Sequence, residues 1–220
     1  MLYHVAAKGR GGRMIQGQVF IIDDDEAVRD ATVLLMQSIG LKAVAYADAQ
    51  AFLDAAHDQH PACLILDVRM PGMSGLQLAR EARVRREAWP IIFVTGHGDV
   101  PMAVEAMREG AFDFLQKPFR EETLIQRVQR AIEQDHNDQV AASEREEIEE
   151  RIKDLTPRER EILQRIVDGE SNKVIAIELG ISARTVELHR ANVMDKMQAR
   201  SLAHLLRQVL SVTTALTRPD

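Results

Sequence analysis

Cysteine is nearly absent from this chain, with Cys63 the only one in 220 residues. A lone thiol excludes an internal disulfide and any zinc site built on several cysteines, and it favours a reducing compartment. Cys63 lies in the apolar run Cys63-Leu64-Ile65-Leu66, where a buried, inert thiol is expected. No run of about 18 apolar residues is present to cross a bilayer, and the N-terminus lacks the long apolar core of a secretory signal. The chain is read as cytoplasmic, with no membrane partner.

Glycine and proline are missing from residues 133–154, a stretch dense in glutamate. That composition favours a solvated helix over a loose tether. Val140, Ile148, Ile152 and Leu155 leave only a broken apolar seam along it, which fits a solvated spacer or a short dimer contact. Residues 1–17 are basic, Gly-rich and aperiodic. They read as a disordered extension, either an arm for acidic polymers or, preferred, an over-long start upstream of a native Met14.

The formal net charge of −6 averages two unlike segments. Residues 1–154 carry 18 Lys/Arg against 26 Asp/Glu, whereas 155–210 carry 9 against 7. An acidic front suits a cation site, and a mildly basic back permits contact with a phosphate backbone.

From Val19 short apolar runs alternate with amphipathic stretches. Strands are expected at 19–22, 42–46, 63–66, 91–94 and 112–115, with helices at 27–39, around 51–53, and at 76–83, 100–109 and 122–132. This rhythm predicts an α/β doubly wound five-stranded parallel sheet, flavodoxin-like, over residues 18–135. A helical linker is expected at 136–154. After Leu155 the period becomes purely helical. Thr156-Pro157-Arg158-Glu159 reads as a capped helix start and Gly169 as its stop. Further helices at 173–179, from Ala183 past Met197, and at 202–210 complete an all-α four-helix unit over 155–210, followed by a tail at 211–220. Arg158, Arg160 and Arg165 alternate with glutamate and are expected on a solvated face.

In a doubly wound sheet, ligands sit beyond the carboxyl ends of the strands. Asp23 and Asp24 follow the first strand, Asp67 the third, Thr95 the fourth and Lys117 the fifth. Converging carboxylates repel, and oxygen ligands of this kind suit Mg²⁺. A carboxylate that attacks phosphorus needs a metal, an ammonium and a hydroxyl donor, and this set supplies them.

The runs IIDDDEAVR, LDVRMPGMSG, VTGHGD and LQKPF resemble, in order and spacing, the receiver domain of two-component response regulators, and VTGHGDVPMAVEAMREGAFDFLQKPF is similar to the FixJ branch. The resemblance implies that Asp67 accepts a phosphoryl group from the phosphohistidine of a sensor histidine kinase. Asp24, Asp67 and the Arg69 backbone carbonyl would bind Mg²⁺, with Asp23 joining through water. Thr95 and Lys117 would hold the phosphoryl oxygens, with Lys117 preceding a cis Pro118, and Phe114 would be the aromatic switch. Residues 102–119 would form the face on which phosphorylated receivers pair as a homodimer. Enzymatic content is limited to autophosphorylation and slow hydrolysis at Asp67.

The segment LTPREREILQRIVDGESNKVIAIELGISARTVELHRANVMDKM places two helices about a short turn containing Gly180, the geometry that presents a second helix to the major groove. It resembles the LuxR/FixJ-type helix-turn-helix domain. Val186, Val193 and Met197 keep a buried stripe, leaving Arg184, Thr185, Glu187, Leu188, Arg190 and Asn192 on other faces. The resemblance turns Glu187, Leu188 and Ala191 toward bases, and Lys173, Thr185, His189, Arg190 and Lys196 toward phosphates. For Glu187, contact with a cytosine amine and pairing with a neighbouring Arg both remain open. The reading is a phosphorylation-gated, sequence-specific transcriptional regulator acting on promoter DNA, with RNA polymerase as a further partner. Two alternatives stand beside it. A haloacid-dehalogenase-like phosphatase would use Asp23-Asp24-Asp25, although Ala27 stands where that motif wants Thr; a phospho-adaptor would use the helical unit to bind protein.

Overall fold

The computed structural model describes residues 15–55, 60–84, 89–96 and 100–213, and two compact units divide at Gln139/Val140. The first alternates β1 (Gln18–Ile22), α1 (Glu26–Ser38), β2 (Lys42–Tyr46), α2 (Ala49–Asp54), β3 (Ala62–Asp67), α3 (Gly75–Val84), β4 (Ile91–Thr95), α4 (Val100–Arg108) and β5 (Asp113–Gln116). The strands form one parallel sheet in the order β2-β1-β3-β4-β5.

Period-two alternation of apolar residues explains why helices cover both faces. Phe20, Ile22, Leu64, Leu66 and Phe93 point to one side, where Phe52, Leu78 and Ala106 from α2, α3 and α4 meet them with Trp89. Val19, Ile21, Cys63, Ile65, Ile92 and Val94 point to the other, against Met36 of α1 and Leu124, Val128, Ala131 and Ile132. Cys63 is fully buried, and that burial, with the Asp135 charge second, pushes its thiol pKa far up, so it is inert.

Those last four residues belong to α5 (Glu121–Lys153), a single unbroken helix of 33 residues. The segment expected as a helical linker therefore continues the last helix of the first unit. In the second unit Ile148 and Ile152 join the core of α6 (Pro157–Val167), α7 (Asn172–Leu179), α8 (Ala183–Lys196) and α9 (Leu202–Thr213). The broken seam thus finds a partner inside the chain. The α6 start is capped as its sequence dictates: Thr156 Oγ1 accepts from the Glu159 N–H, and Glu159 accepts from the Thr156 N–H at 2.9 Å. At the end of α7, Gly180 takes a left-handed conformation (φ 63°), open without strain only to glycine, so the turn into α8 needs just three residues. Helix α9 runs past Leu210 into the segment read as a tail; residues 1–14, 97–99 and 214–220 of the sequence readings lie outside the described residues.

The Arg158, Arg160 and Arg165 expectation is corrected in part: Arg160 is exposed, whereas Arg158 and Arg165 are half-buried. Arg158 donates to the Leu179 carbonyl at the end of α7 (3.1 Å), and Arg160 to the Ile152, Lys153 and Leu155 carbonyls at the end of α5. Arg165 pairs with Glu170 and Glu178. Helix ends leave carbonyls without partners, and guanidinium forks satisfy them. That face therefore also carries clasps between helices.

Candidate functional site

Because β1 sits between β2 and β3, strand order reverses at β1, and the crevice opens beyond the carboxyl ends of β1 and β3. Register places Ile22 opposite Leu66, Asp67 opposite Val94 and Thr95 opposite Gln116. Asp23, Asp67 and Thr95 are all buried at this edge. The Lys117 ammonium donates to Asp23 Oδ2 at 2.6 Å and to Asp67 Oδ1 at 3.2 Å. Backbone donors hold the remaining oxygens: the Arg69 N–H reaches Asp67 Oδ2 at 2.8 Å, and the Asp25 N–H reaches Asp23 Oδ1 at 3.0 Å. Thr95 is tied to the group by its carbonyl, which accepts from the Lys117 N–H at 2.8 Å. The Lys117–Pro118 peptide is cis.

Burial raises the Asp67 carboxyl above its ordinary range; the Lys117 charge and the Arg69 N–H oppose this, and the Asp23 charge adds to it. Burial alone would lower Lys117, but its hydrogen bonds and charge pairing, first with Asp23 and then Asp67, outweigh burial and hold it above the usual range. Two carboxylates thus share one ammonium, leaving negative charge in a desolvated pocket. Its donors are hard oxygens, which fit Mg²⁺.

Of the acids singled out from sequence, Asp23 and Asp67 converge, while Asp24 is exposed. Among the described residues, no three His, Cys, Asp or Glu side chains group as metal ligands, and the partner of Asp23 and Asp67 is Lys117. Phe114 lies on β5 opposite Phe93, half-buried against the cluster that holds Ala106 and Met102. Two contributors escaped the sequence reading. Arg29 donates to the Asp23 carbonyl at 2.7 Å and fixes the β1–α1 corner. Gly75 is required because a Cβ there would lie 2.2 Å from the Asp67 carbonyl oxygen, so α3 can start directly against β3. Its only signal in sequence was a glycine shortly after the strand.

On α8, Val186, Val193 and Met197 are fully buried, as their spacing predicts. Arg184, Glu187, Leu188, Ala191 and Asn192 are exposed, with His189 and Arg190 half-buried. Lys173 is exposed at the start of α7. Two residues assigned toward phosphates have structural work. Thr185 shares a hydrogen bond with the N-cap hydroxyl of Ser182 (2.8 Å), and the Lys196 ammonium meets the buried Glu159 at 2.6 Å. Among the described residues Glu187 has no ion-pair partner, which disfavours the neighbouring-Arg alternative.

Comparison with known proteins accounts for both units. Residues 19–129 match the response regulator receiver domain, and residues 153–209 match the luxR family of bacterial regulatory proteins. The chain is 45% identical over 192 residues to the transcriptional regulatory protein FixJ of Bradyrhizobium diazoefficiens, covering 87% of this chain and 94% of that one. It is 43% identical to the response regulator protein TodT of Pseudomonas putida, covering 86% and 83%. Among solved structures, the response regulator StyR aligns with a TM-score of 0.77 at 40% identity over 87% of this chain and 97% of its own. Full-length FixJ from B. japonicum aligns with a TM-score of 0.55 at 42% identity, covering 90% and 98%. The phosphatase and adaptor readings give way, because a luxR-family domain accounts for the helical unit that the first cannot explain and the second leaves without DNA. The chain belongs to the FixJ-like response regulators, transcriptional regulators of two-component systems that join a receiver domain to a LuxR-type DNA-binding domain.

Proposed function

We propose that Asp67 is the phosphoacceptor. The observation that carries this is its burial at the end of β3, one carboxylate oxygen on Lys117 Nζ and the other on the Arg69 N–H. An Asp67 oxygen attacks phosphorus as the P–N bond of the kinase phosphohistidine breaks, and the imidazole leaves with its electron pair. Asp24, Asp67 and the Arg69 carbonyl would hold Mg²⁺, with Asp23 joining through water, and the ion would supply charge neutralisation for the phosphoryl oxygens. Lys117 moves its ammonium from Asp23 toward those oxygens, and the Thr95 hydroxyl donates to one of them. Phe114, packed only partly beside Phe93, then turns inward, and the face over residues 102–119 becomes the surface for a homodimer. Slow hydrolysis at Asp67 ends the signal.

The output is tighter binding of promoter DNA in the cytoplasm. Glu187, Leu188 and Ala191 face base edges, where the unpaired Glu187 accepts from a cytosine amine. Lys173, Arg184, His189, Arg190 and Asn192 flank them toward the backbone, and RNA polymerase is the further partner.

Acetyl phosphate with Mg²⁺ tests the acceptor. The wild-type chain is expected to gain a stable phosphoryl group and to bind a selected duplex about tenfold more tightly. The Asp67→Asn variant is expected to do neither. Equal labelling of that variant would move the acceptor elsewhere.

A further inference from the structure

We infer that Arg29 is a positioning residue for the Mg²⁺ site, aiming Asp24 by holding the peptide that carries it. This role rests on the reading of the pocket as a Mg²⁺-dependent phosphoacceptor site, and it adds a residue from outside the ligand set.

The neighbouring carboxylates are each held directly. Asp23 Oδ2 takes the Lys117 ammonium at 2.6 Å and its Oδ1 the Asp25 N–H at 3.0 Å. Asp67 takes the Arg69 N–H at 2.8 Å and Lys117 at 3.2 Å. Asp24 has no such support: it is exposed, and among the described residues its side chain makes no hydrogen bond or ion pair. Its direction is therefore set by the backbone.

β1 ends at Ile22, and the chain turns out of the sheet just where Asp24 must be aimed. The Asp23 carbonyl and the Asp24 N–H lie in one rigid peptide plane, so whatever holds that carbonyl fixes the direction in which Asp24 leaves it. The holder is Arg29, half-buried in the first turn of α1, whose Nη1 donates to the Asp23 carbonyl at 2.7 Å. A donor that carries charge makes this a strong hydrogen bond. The helix is itself tied to the corner. Asp25 accepts from the Ala27 and Val28 N–H groups, and its carbonyl accepts from the Arg29 N–H at 3.0 Å. Arg29 thus closes a ring from α1 back to the peptide before Asp24.

Charge and position predict opposite signs. A guanidinium beside a metal site repels the incoming cation, so an Arg29 that acted through its charge alone would, once removed, let the metal bind more tightly. An Arg29 that aims a ligand would, once removed, weaken the metal, and partners of this outer kind are typically worth about tenfold or more in affinity.

Mn²⁺ binding to the unphosphorylated full chain, with the free ion counted by electron paramagnetic resonance, tests this directly, and labelling by acetyl phosphate over a range of Mg²⁺ gives a second readout. Arg29→Met, which keeps the length of the stem, is expected to weaken Mn²⁺ about tenfold and to raise the Mg²⁺ needed for half-maximal labelling by a similar factor, with the rate at saturating Mg²⁺ little changed. Arg29→Lys, which retains a cationic donor, is expected to restore part of the affinity. In an Asp24→Asn background Arg29→Met is expected to add little, because the ligand it aims is already lost. If Asp24→Asn weakens Mn²⁺ while Arg29→Met leaves it unchanged or tightens it, or if the two losses add in full, the role of Arg29 is overturned and the metal reading stands. No Mn²⁺ binding by the wild-type chain would overturn the metal reading and the role of Arg29 with it.

Discussion

As the proposed phosphoacceptor, Asp67 combines two demands on a single side chain: it is buried enough to be held in one geometry, and the proposed attack on phosphorus needs it ionised. The conflict appears in its raised pKa, which burial causes and Lys117 only partly offsets. A carboxyl whose folded pKa lies above its unfolded value, about 3.9, loses stability as pH rises from the unfolded value through the folded one. At neutral pH, in EDTA, the wild-type receiver therefore carries a cost that is relieved in acid. Asp67→Asn keeps the shape and removes the charge, so it is expected to raise the urea midpoint at pH 7, with the advantage shrinking as pH falls toward 4. Denaturation at several pH values measures this, and an advantage independent of pH would show that the charge is not its source. Lys117 retains Asp23 in the variant, which protects the ammonium from being left alone.

At the scale of elements, α5 serves two hydrophobic cores. Its first turns bury Leu124, Val128, Ala131 and Ile132 under the sheet, and later turns bury Ile148 in the helical unit. Ile148→Ala in the full chain is expected to destabilise the helical unit by about 3 kcal/mol, the ordinary cost of truncating a buried aliphatic side chain. Chemical denaturation followed by helix signal checks it, and a loss under about 0.5 kcal/mol would mark 148 as surface. Apolar runs made β1, β3 and β4 legible because each is buried on both faces, whereas β2 and β5, partly exposed, were read from their place between helices. The capping box at Thr156 was legible because its partners lie three residues apart. The role of Ile148 was not, since Ile148 and Ile152 belong to a broken seam whose partners on α6 to α9 lie far along the chain, while Val140 stays exposed. Arg158 and Arg165 were misread for the same reason, because the Leu179 carbonyl and the Glu178 carboxylate that hold them lie on another helix and leave no mark in a local pattern. Within the site, the positions of Asp23, Asp67, Thr95 and Lys117 followed from strand ends alone. The pairing of Lys117 with Asp23 and the close approach of Gly75 needed the register between strands.

For the whole molecule, two separate cores predict two separable unfolding events, and one pair of residues can test this. Glu159 is 4% exposed. Its hydrogen bond to Lys196, then the Thr156 N–H, holds its pKa at about 2. A carboxyl depressed in this way contributes stability that is present above its unfolded pKa, about 4.3, and lost as pH falls through the folded value. Lys196→Met leaves Glu159 buried with only the Thr156 donors, and a cost of about 2 kcal/mol at pH 7 is expected, discounted because the Lys196 side chain is partly in solvent. That cost belongs to the helical unit alone. Trp89 is the only tryptophan and is buried in the receiver core, so its fluorescence reports the first unit selectively, whereas helical circular dichroism reports both. In Lys196→Met the Trp89 midpoint is expected to stay in place while part of the helical signal melts earlier, and below about pH 4 the difference from wild type should narrow as Glu159 takes up its proton. A Trp89 transition that shifted in step with the helical one would mean that the continuous α5 couples the units into a single cooperative block.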